Sequence, residues 1–551
     1  MAISSLDWAV IVVYFAVITA IGLYAGMHVR KTGDYFLGQR RFGPWLMVGQ
    51  SFGVGTHAEM PVALAGAVYT SGASAIWFQW KNLFITPFYW LMAPVFRRIR
   101  RTTMAEFTED RYGPWMSAVY SVFAVCYLVI NMGSMLKGAG KVISQATGGG
   151  VGANEIVVAM TAIFVLYSFV GGLVAAAWTD LCQGILIIVL SFMLIPLGWN
   201  MIGGFEGLHA SLDPFRFSLA TPSGVGPWTI AMLTVNGFIG IMAQPHQLAA
   251  VGTGRDERTC RIGMLAGNMV KRVCTVGWAI VGLIVAAVIA QGHASAADLG
   301  DPENAFGFAC RLLLGSGMLG LMIAAILAAN MSTCSAFLVD AGALFTEGLY
   351  RQRFVPNRSD RHYLWVGRVS GLAITALGVV YAIYFIDSVL YSFLLTETLA
   401  TFIGISVLGG IVWRRANRWG ALASIVGALT TNFLLYHLTG QRLDYWDPNV
   451  FLAALAVGSV ALVVVSLATA PESRVALQSF FSRLETSSDG DESERQPLLL
   501  VNVLTPGRGA DGRGWRAYRE DLVGFVVGWI IVVLLVAGTA WLLAPPAAGL
   551  G

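Results

Sequence analysis

Residues 49–69 read GQSFGVGTHAEMPVALAGAVY, and residues 234–252 read TVNGFIGIMAQPHQLAAVG. Both lie in apolar stretches long enough to cross a bilayer, and both interrupt themselves. The first carries Gly49, Gly53 and Gly55, then polar Thr56, His57 and Glu59, then Pro61. The second carries Asn236, Gly237, Gly240, Gln244, Pro245 and His246. Glycine and proline are ordinary in membrane helices, so either stretch alone says little. Unwound backbone at membrane depth, however, is tolerated only where protein or a watery cavity satisfies its polar groups. Two interrupted spans, five spans apart and each rich in polar side chains, predict an inverted five-helix repeat around a midplane binding site.

The rest of the chain agrees with a membrane setting. Of 551 residues 56% are hydrophobic and only 12% charged, which no soluble core of this length absorbs. At about 20 apolar residues per crossing, fourteen candidate spans emerge: 6–27, 44–70, 75–96, 115–144, 153–174, 179–200, 227–251, 268–291, 314–346, 364–386, 389–412, 419–438, 449–469 and 522–543. The loops expected on one side hold Arg30, Lys31, Arg40 and Arg41, then Arg97, Arg98, Arg100, Arg101 and Arg111, then Arg255, Arg258 and Arg261. Arg351, Arg353, Arg358, Arg361, Arg414, Arg415 and Arg418 follow on that side, against little more than Arg216, Arg311 and Arg442 on the other. Because basic residues concentrate on the cytoplasmic side, this alternation predicts 14 transmembrane helices, both termini external, in a bacterial-type inner membrane. The expected partition is 1–43 (first span and loop), 44–200 (first repeat), 201–226 (external loop), 227–412 (second repeat), 413–469 (two further spans), 470–521 (cytoplasmic linker) and 522–551 (last span and tail).

Several function classes are excluded by what the sequence lacks. It holds no phosphate-binding loop, GxSxG or HExxH, so neither an enzyme nor chemical energy coupling is expected. The polar stretch 470–521, with LETSSDGDESERQ and PGRGADGRG, reads as a linker with little structure. It offers no signalling domain of the kind a membrane sensor carries. The six cysteines form no CxxC pair or Cys/His cluster and read as packing residues, without disulfide or structural metal. The first apolar run, 6–27, lacks a basic start and a cleavage site, so a retained first helix is expected. No organic cofactor and no nucleic acid is implied; the expected partners are the lipid bilayer, a small solute and a coupling ion, with the protein acting as a monomer.

The ninth span contains AAILAANMSTCSAFLVDAG, which places Ser332, Thr333 and Ser335 close together. Serine and threonine in membrane helices often only bond back to their own backbone. Yet a hard cation such as Na+ takes oxygen ligands, and two neighbouring hydroxyls plus carbonyls freed by a broken helix supply them. Ionisable groups inside spans are costly and therefore candidates for function. His57 and Glu59 occupy the break of the second span and Glu397 lies in the eleventh; Lys81, Lys137 and Lys141 read instead as lysines snorkelling to the interface. His57, Glu59, Gln244 and Glu397 are thus the expected lining of a solute pocket. Glu397→Gln and His57→Ala are expected to raise the apparent KM without harming folding. Proton coupling through His57, Glu59 or Glu397 is the competing transport reading.

At these residues, over about 6 to 440, the chain resembles the sodium:solute symporter family. The resemblance is carried by DYFLGQRRFGPW (34–45), GAVYTSG (66–72), YSFVGGLVAAAWTDLCQGILI (167–187), AQPHQLAAVGT (243–253), AAILAANMSTCSAF (324–337) and WRRANRWGALAS (413–424), in family order. It is nearest to the sodium/proline branch through AQPH and MSTCS. The resemblance implies an all-α polytopic membrane protein of LeuT-type 5+5 inverted repeat, importing a small polar or charged solute with Na+ by alternating access. It implies a main Na+ site of backbone carbonyls at Gly53, Thr56 and Ala329 with the hydroxyls of Ser332 and Thr333. For the second Na+ site of some members, Asp180, Ser332 and Ser335 match, while Ala336 replaces a further hydroxyl. The proline branch has an aspartate where Gly55 stands, and His57 replaces a small residue, so the solute itself is not implied.

Overall fold

The computed structural model describes residues 3–27, 41–222, 224–441, 446–487, 496–504 and 514–545. The expected loop charges Arg30, Lys31, Arg40 and Arg442, and the start of the 34–45 motif, lie outside them. Among the described residues the regular structure is all helix, with an isolated bridge between Phe42 and Gly254. Among the described residues ten helices are long and apolar enough to cross a membrane, not the expected fourteen. Each of the fourteen expected spans is helical wholly or in part, but several are broken, bent or short.

The breaks fall where the sequence concentrates helix-disfavouring chemistry. Pro44–Val54 stops at Gly55, Thr56 and His57 are non-helical, and Glu59–Ser71 continues. In the seventh span Pro227–Gly240 tightens into a turn at Ile241–Ala243, and Gln244 is extended (φ −64°, ψ 126°). Pro245 then starts Pro245–Gly252, because its fixed φ suits a first helical turn and its missing N–H leaves nothing to satisfy there. A third break was not expected: Lys81–Ile85 is a turn between Trp77–Trp80 and Thr86–Ile99.

The fifth and sixth spans also depart from the reading. Ala153–Phe192 is helical throughout its 40 residues, without the expected loop after 174. It is nevertheless no straight rod. Met160 reaches the side chain of Asn330, and Asp180 lies beside Gly53 next to Ser332, two residues further along the same neighbour. Twenty residues of straight helix would separate Met160 from Asp180 by about 30 Å, so the segment bends between its apolar limbs, Ala153–Leu166 and Ala176–Ile202.

Met318–Phe345 is the axis of the bundle, and its apolar window is wholly buried. Hydrophobicity cannot drive helices together in lipid, so close backbone approach through small residues does. The run AAILAAN and the neighbouring Ser, Thr and Cys provide that surface to Ala153–Phe192, Pro114–Ala146 and Ser5–Gly26.

At the basic end of the bundle the 470–521 segment corrects the expectation of little structure. Arg474–Glu485 is a helix whose Phe480, Phe481 and Leu484 are buried. Arg98 grips Glu257 with two bonds (2.8 and 2.9 Å) and donates to the carbonyls of Leu484 and Gln496. Arg111 stacks over Phe480 and Phe481. Arg483 meets Asp110 (2.9 Å), Arg414 meets Glu485 (2.6 Å), Arg418 meets Glu472 (2.6 Å) and Arg261 meets Asp521 (2.6 Å). Arginines from three of the loops expected on one side therefore converge on one face. Burial pushes the Asp110 carboxyl up, but its bonds to Arg101 and Arg483 outweigh this and hold it below its ordinary 3.8. Glu472, under the same opposition of burial and Arg418, is also lowered. A carboxyl lowered in the fold contributes stability that is complete above its unfolded value and is lost as pH falls through the folded one. The docked helix is expected to resist limited proteolysis equally at pH 7 and 5, and to be cut faster below about pH 4; cleavage independent of pH there would contradict this.

Candidate functional site

Two adjoining sites form where the broken helices meet Met318–Phe345. The first is made of oxygens. Thr333 Oγ1 donates to the carbonyls of Gly53 (3.2 Å) and Val54 (3.3 Å), the last turn before the break. A Cβ added at Gly53 would stand 2.8 Å from Ser332 Oγ and 3.0 Å from Asp180 Cβ, so three helices touch here because position 53 has no side chain. Ser332 Oγ, Thr56 Oγ1 and both carboxylate oxygens of Asp180 are buried and lack a well-formed hydrogen bond to any described residue, with Ser332 facing Asp180. Buried polar atoms are normally paired, so this cluster of orphaned oxygens has the donor set of a cation site. Gly53, Ser332, Thr333 and Asp180 are thus brought together. Thr56 sits at the break, and Ala329 is buried one residue before Asn330. The Ser335 hydroxyl donates to the carbonyls of Met331 (2.6 Å) and Ser332 (2.8 Å) on its own helix.

Sequence reasoning missed Asn330. Its Oδ1 accepts from Ala58 N (3.0 Å) in the break and its Nδ2 donates to Met135 O (2.5 Å), so it pins the unwound turn to two neighbours. The signal was a polar residue beside the Ser/Thr cluster in an otherwise small, apolar run.

The second site is a cavity with a free volume of about 40 Å³, lined by His57, Gln244 and Glu397 among others. Glu59 is not in the lining; it lies behind, bonded to the His57 ring and packed against Gly138. Gln244 Nε2 donates to Glu397 Oε1 (2.9 Å), which ties the break of the seventh span to the eleventh. Thr401 Oγ1 donates to the carbonyls of Asn236 (2.8 Å) and Glu397 (3.0 Å), a second tie between the same two spans.

The lysines overturn one reading and confirm the setting of another. Lys81 does not snorkel. It is 1% exposed in the turn between the halves of the third span, and its Nζ is 2.9 Å from Glu397 Oε2 and 4.5 Å from the Phe393 ring centre. Lys141 pairs with Asp301 (3.2 Å) and Glu303 (2.6 Å) at the end of the bundle opposite the arginines, where a long side chain reaches polar surroundings. Lys271 and Arg272, both buried, were not foreseen as site groups. The eighth helix starts at Glu257, capped by Asp256 on Thr259 N (2.6 Å), and not near 268. Lys271 therefore stands about 21 Å along it, deep in the bundle. The Asp256 cap was the legible signal.

The sodium:solute symporter family profile matches residues 35–427. The chain belongs to that family. Its coupling ion is accordingly Na+, and the protein is a multi-pass membrane symporter that carries a solute with it. Among curated relatives, this symporter is 25% identical to the osmoregulated proline transporter OpuE of Bacillus subtilis over 83% of this chain and 94% of the relative. It is 28% identical to the high-affinity proline transporter PutP of the same organism (74% and 88%), and 25% to a sodium/glucose cotransporter of Vibrio parahaemolyticus (78% and 84%). In fold the symporter is similar to a Na+-coupled sialic acid symporter, with TM-score 0.72 at 18% identity over 85% of this chain and 99% of that one. It is more distantly similar to Mhp1, a nucleobase-cation-symport-1 family transporter, with TM-score 0.53 at 13% identity (82% and 99%).

Proposed function

We propose that this symporter binds one Na+ in the oxygen cluster at Gly53, Thr56, Ala329, Ser332 and Thr333, with Asp180 adding its charge to the same ion. The orphaned buried oxygens beside the broken helix carry this reading, because Na+ is the partner such atoms lack. The solute binds in the adjoining cavity, contacting His57, Gln244 and Glu397, with Glu59 orienting His57. The two sites share the break of the second helix, so Na+ and solute each favour the same arrangement of it, which is what coupling requires.

The broken and bent helices each cross as pairs of limbs, giving fourteen crossings in a LeuT-type 5+5 arrangement with the arginine-rich face cytoplasmic and both termini external. The monomer suffices, since both sites are built from one chain.

The deciding experiment is uptake into proteoliposomes under an inward Na+ gradient at equal pH, against an inward proton gradient without Na+. Accumulation with Na+ alone is expected. Accumulation driven by the proton gradient in Na+-free buffer would favour the His57–Glu59 pair as a proton relay instead. Gly53→Ala is a sharper probe of the ion site: the added methyl meets Ser332 Oγ and Asp180 at contact distances that neither can relieve easily. It is expected to raise the Na+ concentration for half-maximal uptake at least tenfold; an unchanged value would remove Gly53 from the site.

A further inference from the structure

The charge count of the solute cavity does not close. Its buried cations are Lys81, Lys271 and, immediately behind, Arg272; its buried carboxylates are Glu397 and Glu59. Three against two leaves an excess of one positive charge with His57 and His246 uncharged, and a protonated His57 enlarges it. Each carboxylate already has a partner, and the second oxygen of Glu59, behind the lining, has none. Glu397 takes Lys81 on one oxygen and Gln244 on the other, and Glu59 takes the His57 ring. Arg272 donates to the carbonyl of Gln79 (3.3 Å) and the hydroxyl of Thr86 (3.4 Å).

Lys271 is what remains. It lines the cavity and is 7% exposed, and its ammonium makes no hydrogen bond or ion pair with any described residue. A charge isolated at this depth is costly unless something pairs it. The cavity admits only a few waters. The ligand is therefore the group that completes Lys271. A sugar leaves it unpaired, and a cation worsens the excess. A zwitterion is neutral overall and leaves the excess as it stood. Only an anion closes the count, and the rings of Phe337 and Phe393 in the same wall suit carbon, not a bare halide.

We propose that the solute is a small organic monoanion, a carboxylate without a compensating ammonium, held by the Lys271 ammonium beside the aromatic wall. This rests on the cavity being the solute site of a Na+ symporter.

The test uses full-length protein in proteoliposomes under an inward Na+ gradient, with sulfate as the only bulk anion so that neither chloride nor an organic monoanion can stand in. The probes are lactate, pyruvate and propionate, against proline, betaine, glucose and lysine. Na+-dependent uptake is expected for one or more of the three carboxylates and for none of the other four. Lys271→Gln should raise the apparent KM for that carboxylate at least tenfold, and Lys271→Arg, which keeps the charge, should recover most of it. Uptake confined to proline, betaine, glucose or lysine, no carboxylate uptake, or an unchanged KM in Lys271→Gln would each overturn the proposal. If Lys271→Gln does not fold, the wild-type selectivity and Lys271→Arg still decide. The thermal shift that Na+ alone produces in the wild type separates the two failures: with the shift present the solute class is wrong, and with it absent the symport reading itself fails.

Discussion

Replacing Ser332 and Thr333 together by alanine is expected to abolish the Na+-induced thermal shift of the protein and to cut Na+-driven uptake to background. Ser332 contributes an oxygen that no described residue satisfies, and Thr333 ties the axial helix to the carbonyls of Gly53 and Val54 at the break. A Na+ ion exchanges its water for about six oxygens, so two lost ligands from a small set leave it no adequate replacement. The cost to folding is modest, because alanine fits both positions and a neutral hydrogen bond is worth about 1 kcal/mol net. Loss of the ion response in a protein that still melts cooperatively is therefore the expected signature. A double variant with the wild-type Na+ response would refute the site.

The second large effect concerns Lys81 and Glu397. Read as sequence, Glu397→Gln should weaken solute binding without harming the fold. The 2.9 Å ion pair changes that expectation. Removing one member of a buried pair strands the other's charge, which costs about 3–5 kcal/mol, whereas replacing both by apolar residues is often neutral. Lys81→Met is thus expected to lose much of its thermal stability, and Lys81→Met with Glu397→Met to regain most of it while remaining inactive in uptake. A single variant as stable as the wild type would show that the pair carries no structural weight. The same pair has a positional role: it links the turn of the third span to the eleventh helix, which Gln244 joins from the seventh.

The difference between these two predictions is also the difference between what could be read in advance and what could not. The oxygen cluster proposed for the ion was legible because its chemistry is local in sequence. Ser332 and Thr333 are neighbours, and the Gly-rich break before Thr56 announces freed carbonyls without any knowledge of packing. That both belong together was an inference from two weak signals, and Thr333 does reach Gly53. Asp180 was placed by resemblance; its contact with Gly53 follows from a glycine whose missing Cβ lets two helices close on it.

The lysines were misread for an equally physical reason. A lone lysine near the end of an apolar run has a cheap escape to the interface, and composition cannot show whether that escape is open. At Lys81 a turn holds it inside against Glu397. At Lys271 a helix begins more than ten residues earlier than hydropathy suggests, because Asp256 caps it. The polar stretch 470–521 was misjudged similarly. Its buried apolar residues, Phe480, Phe481 and Leu484 in the helix and Leu498, Leu500 and Val501 after it, are too scattered to announce a core, and those of the helix meet arginines on distant loops.

The broken spans quoted at the outset, the membrane class, the grouping of arginines and the oxygen-bearing ninth span were determined by sequence alone, since each depends on residue type and spacing along one helix. The pairing of Lys81 with Glu397, the retreat of Glu59 behind His57, the bend within Ala153–Phe192 and the unpartnered Lys271 were decided only by tertiary structure. Each is a question of which charges and backbones meet across separate helices, and the energy of a buried charge is set by those neighbours, not by its place in the chain.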